Sequence, residues 1–132
     1  MLFSYYRKNT FFMEDFILRE IDRLGEMLLM IARRIGLLDD STPDYTLTDL
    51  KEEFDKSDLP FDLDAVLAQD NPVWYLVEQE NLTDQALETL IFMLFHSDLD
   101  ESVKAALLDD AVTYLDGKGF YSVRLHSLIT ER

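Results

Sequence analysis

The chain has 132 residues, no cysteine and a formal net charge of −15 at pH 7. This length predicts one domain, and the 48% of hydrophobic residues argues against intrinsic disorder. The absence of cysteine excludes disulfides, thiolate catalysis and cysteine-based zinc sites. The longest uncharged run, Thr89 to Ser97, is nine residues, whereas a membrane-spanning helix needs ~20. We therefore expect a cytoplasmic, soluble protein with no membrane partner.

The negative charge is concentrated in the middle of the chain. Residues 39–101 contain 18 of the 27 acidic residues and two of the 12 lysines and arginines, for a net charge of −16. A localised negative field attracts basic proteins and repels nucleic acid. The charge distribution predicts a protein partner with a basic surface, and no nucleic-acid partner.

The first predicted element is a long amphipathic helix that follows an aromatic arm over residues 1–12. Its apolar residues alternate spacings of four and three, which is typical of a helix that packs along one face. They are Ile17, Ile21, Leu24, Leu28, Ile31, Ile35 and Leu38. Residues 27–32 are apolar all round the helix, so we expect neighbours on every side there. Gly36 predicts the end of this helix.

Short helices with recognisable N-caps follow the acidic loop at residues 39–47. Thr46 or Thr48, Asp62, Asn71 before Pro72, and Thr83 each precede an apolar helical pattern. Asp98 to Glu101 resembles a capping box that opens a further helix, and Gly117 predicts its left-handed cap. A last helix is predicted from about Ser122, burying Val123, Leu125, Leu128 and Ile129.

These patterns predict an all-α fold. The long N-terminal helix is expected to pack on the short helices and on two C-terminal helical hairpins, within one helical domain over residues 13–132. No stretch alternates apolar and polar residues convincingly, and residues 120–123 are the only strand-like segment.

No set of residues predicts catalysis, a metal site or a cofactor site. His96 and His126 have no second histidine or cysteine at metal-ligand spacing. His96 beside Asp98 and Asp100 is compatible with a metal or general-base role, but also with a histidine at a helix C-terminus. The acids at residues 98–102 lack the turn glycine of a calcium loop and are better explained as helix caps. We expect a protein that is not an enzyme.

Two aromatic groups are candidates for a partner interface. The first, in the arm, consists of Tyr5, Tyr6, Phe11 and Phe12 around Arg7 and Lys8. Aromatic residues between basic ones can stack on nucleobases, although packing onto the domain or onto a second copy fits an acidic protein better.

The second aromatic group is the pair Trp74 and Tyr75. Neighbouring helical residues point about 100° apart. Both rings can belong to the core, or one can be an exposed interface anchor.

Two segments resemble a group of small uncharacterised bacterial helical proteins. These segments are MEDFILREIDRLGEMLLMIARRIGLLD, which begins at Met13, and the C-terminal LLDDAVTYLDGKGFYSVRLHSLI. The resemblance implies one long N-terminal helix followed by tetratricopeptide-like helical hairpins. It also implies a protein-interaction role, and it assigns no catalytic residue.

We therefore predict a non-catalytic interaction module, an adaptor or regulator. One alternative is a structural homodimer through the N-terminal helix, since two-fold dimers are the commonest oligomers. Another is an acidic mimic of nucleic acid that inhibits a DNA-binding protein, with regularly spaced carboxylates in the place of phosphates.

Overall fold

The computed structural model describes residues 23–37 and 44–131. Within these ranges it has seven α-helices and no strand, which confirms the all-α prediction. The helices are α1 (residues 23–34), α2 (Leu47–Ser57), α3 (Leu63–Leu67), α4 (Pro72–Glu78), α5 (Asp84–Phe95), α6 (Glu101–Gly117) and α7 (Val123–Glu131). Among the described residues, no helix is both long and apolar enough to cross a bilayer. The predicted arm and the start of the first helix lie outside the described residues.

Four helices begin at N-caps that the sequence predicts. The side chains of Thr46, Asp62, Asn71 and Thr83 each accept a hydrogen bond from a backbone N–H in the following first turn. At α2 the bond is reciprocal, because the Asp49 carboxylate accepts from the Thr46 N–H at 3.0 Å. These bonds satisfy N–H groups that have no partner inside the helix.

The predicted capping box at the start of α6 is wrong. Asp100 is the N-cap, and its carboxylate accepts from the Ser102 N–H at 3.1 Å. The Asp98 carboxylate instead accepts from the N–H of Leu47, the first residue of α2, at 2.8 Å. The tertiary fold brings this distant N–H to Asp98, so the residue joins two helices and does not start one.

The predicted left-handed cap at Gly117 is also wrong. Gly117 is the last residue of α6, and Gly119 has the positive φ of 82°. The Phe120 N–H donates to the Leu115 carbonyl at 2.9 Å, and the Gly119 N–H donates to the Asp116 carbonyl at 3.0 Å. This pair of bonds is the Schellman motif, which places the left-handed residue two positions after the end of the helix.

Helix α1 ends in the same motif, as Gly36 predicted. Gly36 has φ 80°, and the Leu37 N–H donates to the Ala32 carbonyl at 2.9 Å. Leu28 and Ile31 of the predicted apolar stripe are completely buried. However, Met30 is 52% exposed, so α1 is not enclosed on every side, contrary to the prediction. Ile17, Ile21 and Leu38 lie outside the described residues.

The most enclosed helix in the described part of the chain is α5. Its buried residues cover more than half of the helix circumference, and Gln85 on the remaining side is exposed. They are Ala86, Leu87, Thr89, Leu90, Ile91, Met93 and Leu94. It packs against α4, α6 and α7. It also lies close to α1, since a Cβ placed on Gly25 would be 3.6 Å from the Cβ of Ala86. The core is therefore arranged around α5.

Two hydrogen bonds tie other segments to this central helix. The buried Tyr45 hydroxyl donates to the Met93 carbonyl at 2.6 Å. The Ser122 hydroxyl, which also accepts from the Leu125 N–H, donates to the Glu88 carboxylate at 2.5 Å. Ser122 thereby attaches the start of α7 to α5.

Helix α7 buries most of the residues predicted for it, with one correction. Leu125 and Leu128 are buried and Ile129 is partly buried, as expected. Val123 is 69% exposed and does not belong to the core. It is the first residue of α7, and the apolar face of the helix begins two residues later.

Candidate functional site

Of the six residues predicted at a partner interface, the structure describes Trp74 and Tyr75. Tyr5, Tyr6, Phe11 and Phe12 lie outside the described residues. Trp74 is 56% exposed, whereas Tyr75 is partly buried and packs against the core. The reading in which both rings belong to the core is therefore wrong. Trp74 has the exposure that the alternative reading, an interface anchor, requires.

The local sequence positions Trp74 firmly although its ring faces solvent. Pro72 opens α4 with a φ suited to the first helical position. The Asn71 side chain caps the helix by accepting from the Trp74 N–H at 3.1 Å. Val73 and Leu76 are buried and hold the helix on the core. The Trp74 backbone is therefore fixed while the indole ring projects outward.

Tyr75 is held by a carboxylate five residues further along the chain, just beyond the end of α4. Its hydroxyl donates to Glu80 Oε2 at 3.1 Å. This hydrogen bond, partial burial and the negative charge of Glu80 all raise the pKa of Tyr75. Each of these causes favours the neutral phenol. The ring forms part of the wall beside Trp74.

A shallow groove of about 390 Å³ lies at the junction of α3 and α4. Its lining residues are Gln69, Asp70, Asn71, Trp74, Tyr75 and Gln79. We call it the Trp74 groove. Trp74 and Glu78 are four residues apart in α4, so their side chains lie on one face of the helix. The exposed indole thus has Asp70 before it in the chain and Glu78 one turn after it.

The segment of the chain that contains the Trp74 groove is strongly acidic. Residues 57–103 contain eleven acidic residues and no lysine or arginine. Cations from elsewhere neutralise some of them: Lys51 lies 2.6 Å from Asp64, and Lys118 lies 3.4 Å from Asp84. In the described part of the chain, Asp58, Asp70 and Glu78 are exposed and have no ion pair. Two of these unpaired carboxylates, Asp70 and Glu78, lie four residues before and four residues after Trp74 in the chain.

His96 occupies the helix C-terminus that its sequence context suggested. It is the C-cap of α5, with Nδ1 2.9 Å from the Phe92 carbonyl oxygen, and its ring packs on Phe92 at 4.5 Å. Asp98 and Asp100, the acids proposed beside it, are engaged with backbone N–H groups of α2 and α6. The cap position at the end of α5 and the packing on Phe92 thus explain why a histidine is found at residue 96.

His126 belongs to a different cluster on the surface of α6 and α7. Its Nε2 lies 3.0 Å from Asp116 Oδ1, and the exposed Tyr121 ring stacks on it at 4.1 Å. The serine one turn earlier, Ser122, is buried and donates to Glu88. The Ser122 hydroxyl is therefore engaged with Glu88.

Each acid at residues 98–102 has a structural partner: Asp100 caps α6, Asp98 accepts from the Leu47 N–H, and Glu101 pairs with Lys104. Hydrogen bonds from the Ser102 hydroxyl and N–H lower the pKa of Asp100 and keep it ionised. Within residues 23–37 and 44–131, no group of three or more histidine or acidic side chains is arranged to hold a metal ion.

Comparisons with protein-family models, curated proteins and solved structures find no match for this chain. The resemblance to bacterial proteins with tetratricopeptide-like hairpins therefore rests on the residues quoted for it, and the structure supports its coarser part, a small all-helical protein.

Sequence reasoning identified Trp74 but missed the two carboxylates beside it. The overall acidity of residues 39–101 obscured Asp70 and Glu78 among many other acids. Two signals were present in the sequence. One is the four-residue spacing from Trp74 to Glu78, and the other is the complete absence of lysine and arginine from residues 57–103.

Proposed function

We propose that this protein is a non-catalytic interaction module that binds a partner with a basic surface through its acidic segment. The observation that carries the proposal is the eleven acids and no lysine or arginine in residues 57–103. Charge complementarity of this kind raises association rates and discriminates against acidic partners.

The helical scaffold suits this role. Helix α6 packs against α5 and α7, and α5 against α4, so the acidic loops and short helices are mounted on a common core. We propose that these helices serve as hairpins of the kind used by tetratricopeptide-like interaction domains. The exposed Trp74 adds an aromatic anchor, a residue type enriched where binding energy concentrates.

The proposal is tested by capturing partners from bacterial lysate at low and high salt and then measuring association of the purified partner. We expect a stoichiometric basic protein whose association rate falls steeply as salt rises. The triple variant Asp58→Asn/Asp70→Asn/Glu78→Gln should flatten this salt dependence. Asp110→Asn, which removes an exposed charge from α6, should leave it nearly unchanged.

Other outcomes contradict the proposal. Association that is independent of salt would exclude the acidic segment as the docking surface. Recovery of only the protein itself, together with a dimeric mass in solution, would favour the homodimer. Deletion of residues 1–9 then shows whether the aromatic arm holds that dimer together.

A further inference from the structure

We infer that the Trp74 groove binds an arginine side chain from a basic segment of the partner protein. This inference rests on the proposed function and names the contact at its centre. The guanidinium would stack on the exposed face of the Trp74 ring. The carboxylates of Asp70 and Glu78 would hold its charge from either side.

The position of Trp74 supports a cationic ligand. Trp74 as a residue is 56% exposed, although its backbone is held by the Asn71 cap and by the buried Val73 and Leu76. The negative face of an aromatic ring attracts cations, and tryptophan does so most strongly. Because the backbone that carries the ring is already ordered, less conformational freedom is lost when a ligand binds.

The charge of the surroundings excludes an anionic ligand. Asp70 lines the groove and Glu78 lies one turn from Trp74 on the same helix face. The nearest lysines along the chain, Lys56 and Lys104, pair with Glu53 and Glu101 respectively. Asp70 and Glu78 have no ion pair among the described residues, so both carboxylates are available to an incoming cation.

Arginine fits this site better than lysine. Its guanidinium is planar, stacks on aromatic rings and donates two parallel hydrogen bonds to a carboxylate. The lysine ammonium is a compact and strongly hydrated charge that cannot stack. The groove has an aromatic wall and the Asp70 carboxylate in its lining, and Glu78 lies one turn from Trp74 on the same helix face. A planar cation can use both kinds of contact, whereas an ammonium cannot.

Trp74 reports on its own site, because it is the only tryptophan of the chain. The probes are three short peptides without aromatic residues, identical except that they carry arginine, lysine or the neutral isostere citrulline. We expect the arginine peptide to change Trp74 emission saturably and to bind more tightly than the lysine peptide. The citrulline peptide should give no saturable change.

Matched variants separate the groove from the general acidity. Asp70→Asn should weaken arginine-peptide binding about fivefold, as expected for a solvent-accessible ion pair. Glu52→Gln removes one exposed charge from α2 and should change the affinity less than about twofold by the screening of distant charges. Trp74→Leu keeps an apolar side chain and should abolish the preference for arginine over lysine, measured by calorimetry.

The outcomes distinguish this inference from the function on which it rests. One outcome would overturn the groove as the binding site but leave the acidic interaction module intact. In that outcome the arginine peptide binds in a salt-dependent way without changing Trp74 emission, and Asp70→Asn and Glu52→Gln weaken its affinity equally. No binding of any basic peptide would overturn both. A dimer in sedimentation experiments that Asp70→Asn dissociates would replace the partner protein with a second copy of this chain.

Discussion

Tyr45 illustrates how much of this fold depends on one polar contact inside the core. Its hydroxyl donates to the Met93 carbonyl at 2.6 Å, and the two residues are 48 positions apart in the chain. Met93 lies in the last turn of α5, where carbonyl groups have no helical N–H partner. The phenol satisfies this carbonyl and joins the segment before α2 to the central helix.

Replacing Tyr45 with phenylalanine should lower the free energy of unfolding by about 1–2 kcal/mol at neutral pH, because the buried carbonyl loses its donor. Tyr121→Phe is the matched control, since Tyr121 is 66% exposed, and it should change stability by less than about 0.5 kcal/mol. Urea unfolding measures both values. Equal effects of the two variants would contradict the structural role of Tyr45.

The same residue gives the stability a dependence on alkaline pH. Burial raises the pKa of Tyr45 above its ordinary value, so the folded protein keeps a proton that the unfolded chain releases near pH 10. This contribution is present below the unfolded pKa and is lost as pH rises above it. We expect wild-type stability to fall more steeply above about pH 10 than that of Tyr45→Phe. Parallel curves for the two proteins would contradict this assignment.

The helix ends are governed by backbone conformation, and the C-terminus of α6 offers a direct test. Gly117 is helical and Gly119 has a φ of 82°, and a Cβ at either position would meet nothing within 4 Å. Any difference between substitutions at the two glycines therefore reports conformation and not crowding.

Gly117→Ala should raise the free energy of unfolding by about 0.5–1 kcal/mol, because alanine loses less backbone entropy in a helix. Gly119→Ala should lower the free energy of unfolding by about 1–2 kcal/mol, because the Cβ of alanine makes the left-handed conformation unfavourable. Thermal unfolding under identical conditions compares the two. Effects of the same sign would show that the cap has been placed at the wrong glycine.

Across the entire domain, repulsion among the acids opposes folding. The net charge is −15, and residues 57–103 contribute eleven acids without a lysine or arginine. Repulsion of like charges destabilises the compact state, and salt screens it over a distance of about 10 Å at 0.1 M. The surface proposed to attract a basic partner therefore lowers the stability of the unbound protein.

We expect the melting temperature to rise as salt is added from low ionic strength to the physiological range. Sodium chloride and tetramethylammonium chloride should act alike if the effect is screening and not cation binding. The Asp58→Asn/Asp70→Asn/Glu78→Gln variant should melt higher than wild type at low salt and respond less to added salt. A melting temperature that falls with salt would instead indicate that ion pairs outweigh the repulsion.

Interactions within a few residues made the helix pattern readable from the sequence. Thr46, Asp62, Asn71 and Thr83 each satisfy an N–H two or three positions away, so their role depends on neighbours that the sequence shows directly. The apolar spacing of α1 and the concentration of acids in residues 39–101 can likewise be read from residues that are close together in the sequence. The all-α class and the acidic character of the candidate surface follow from these features.

Long-range packing decided the remaining features. Asp98 fits the pattern of a cap, yet it binds Leu47 because α2 and the end of α5 meet in space. Trp74 and Tyr75 have the same apolar character, and only the docking of α4 through Val73 and Leu76 leaves one ring exposed and the other partly buried. Burial depends on which elements surround a residue, and that information is spread over the chain. The Trp74 groove could be recognised only once α3 and α4 had been placed on the core.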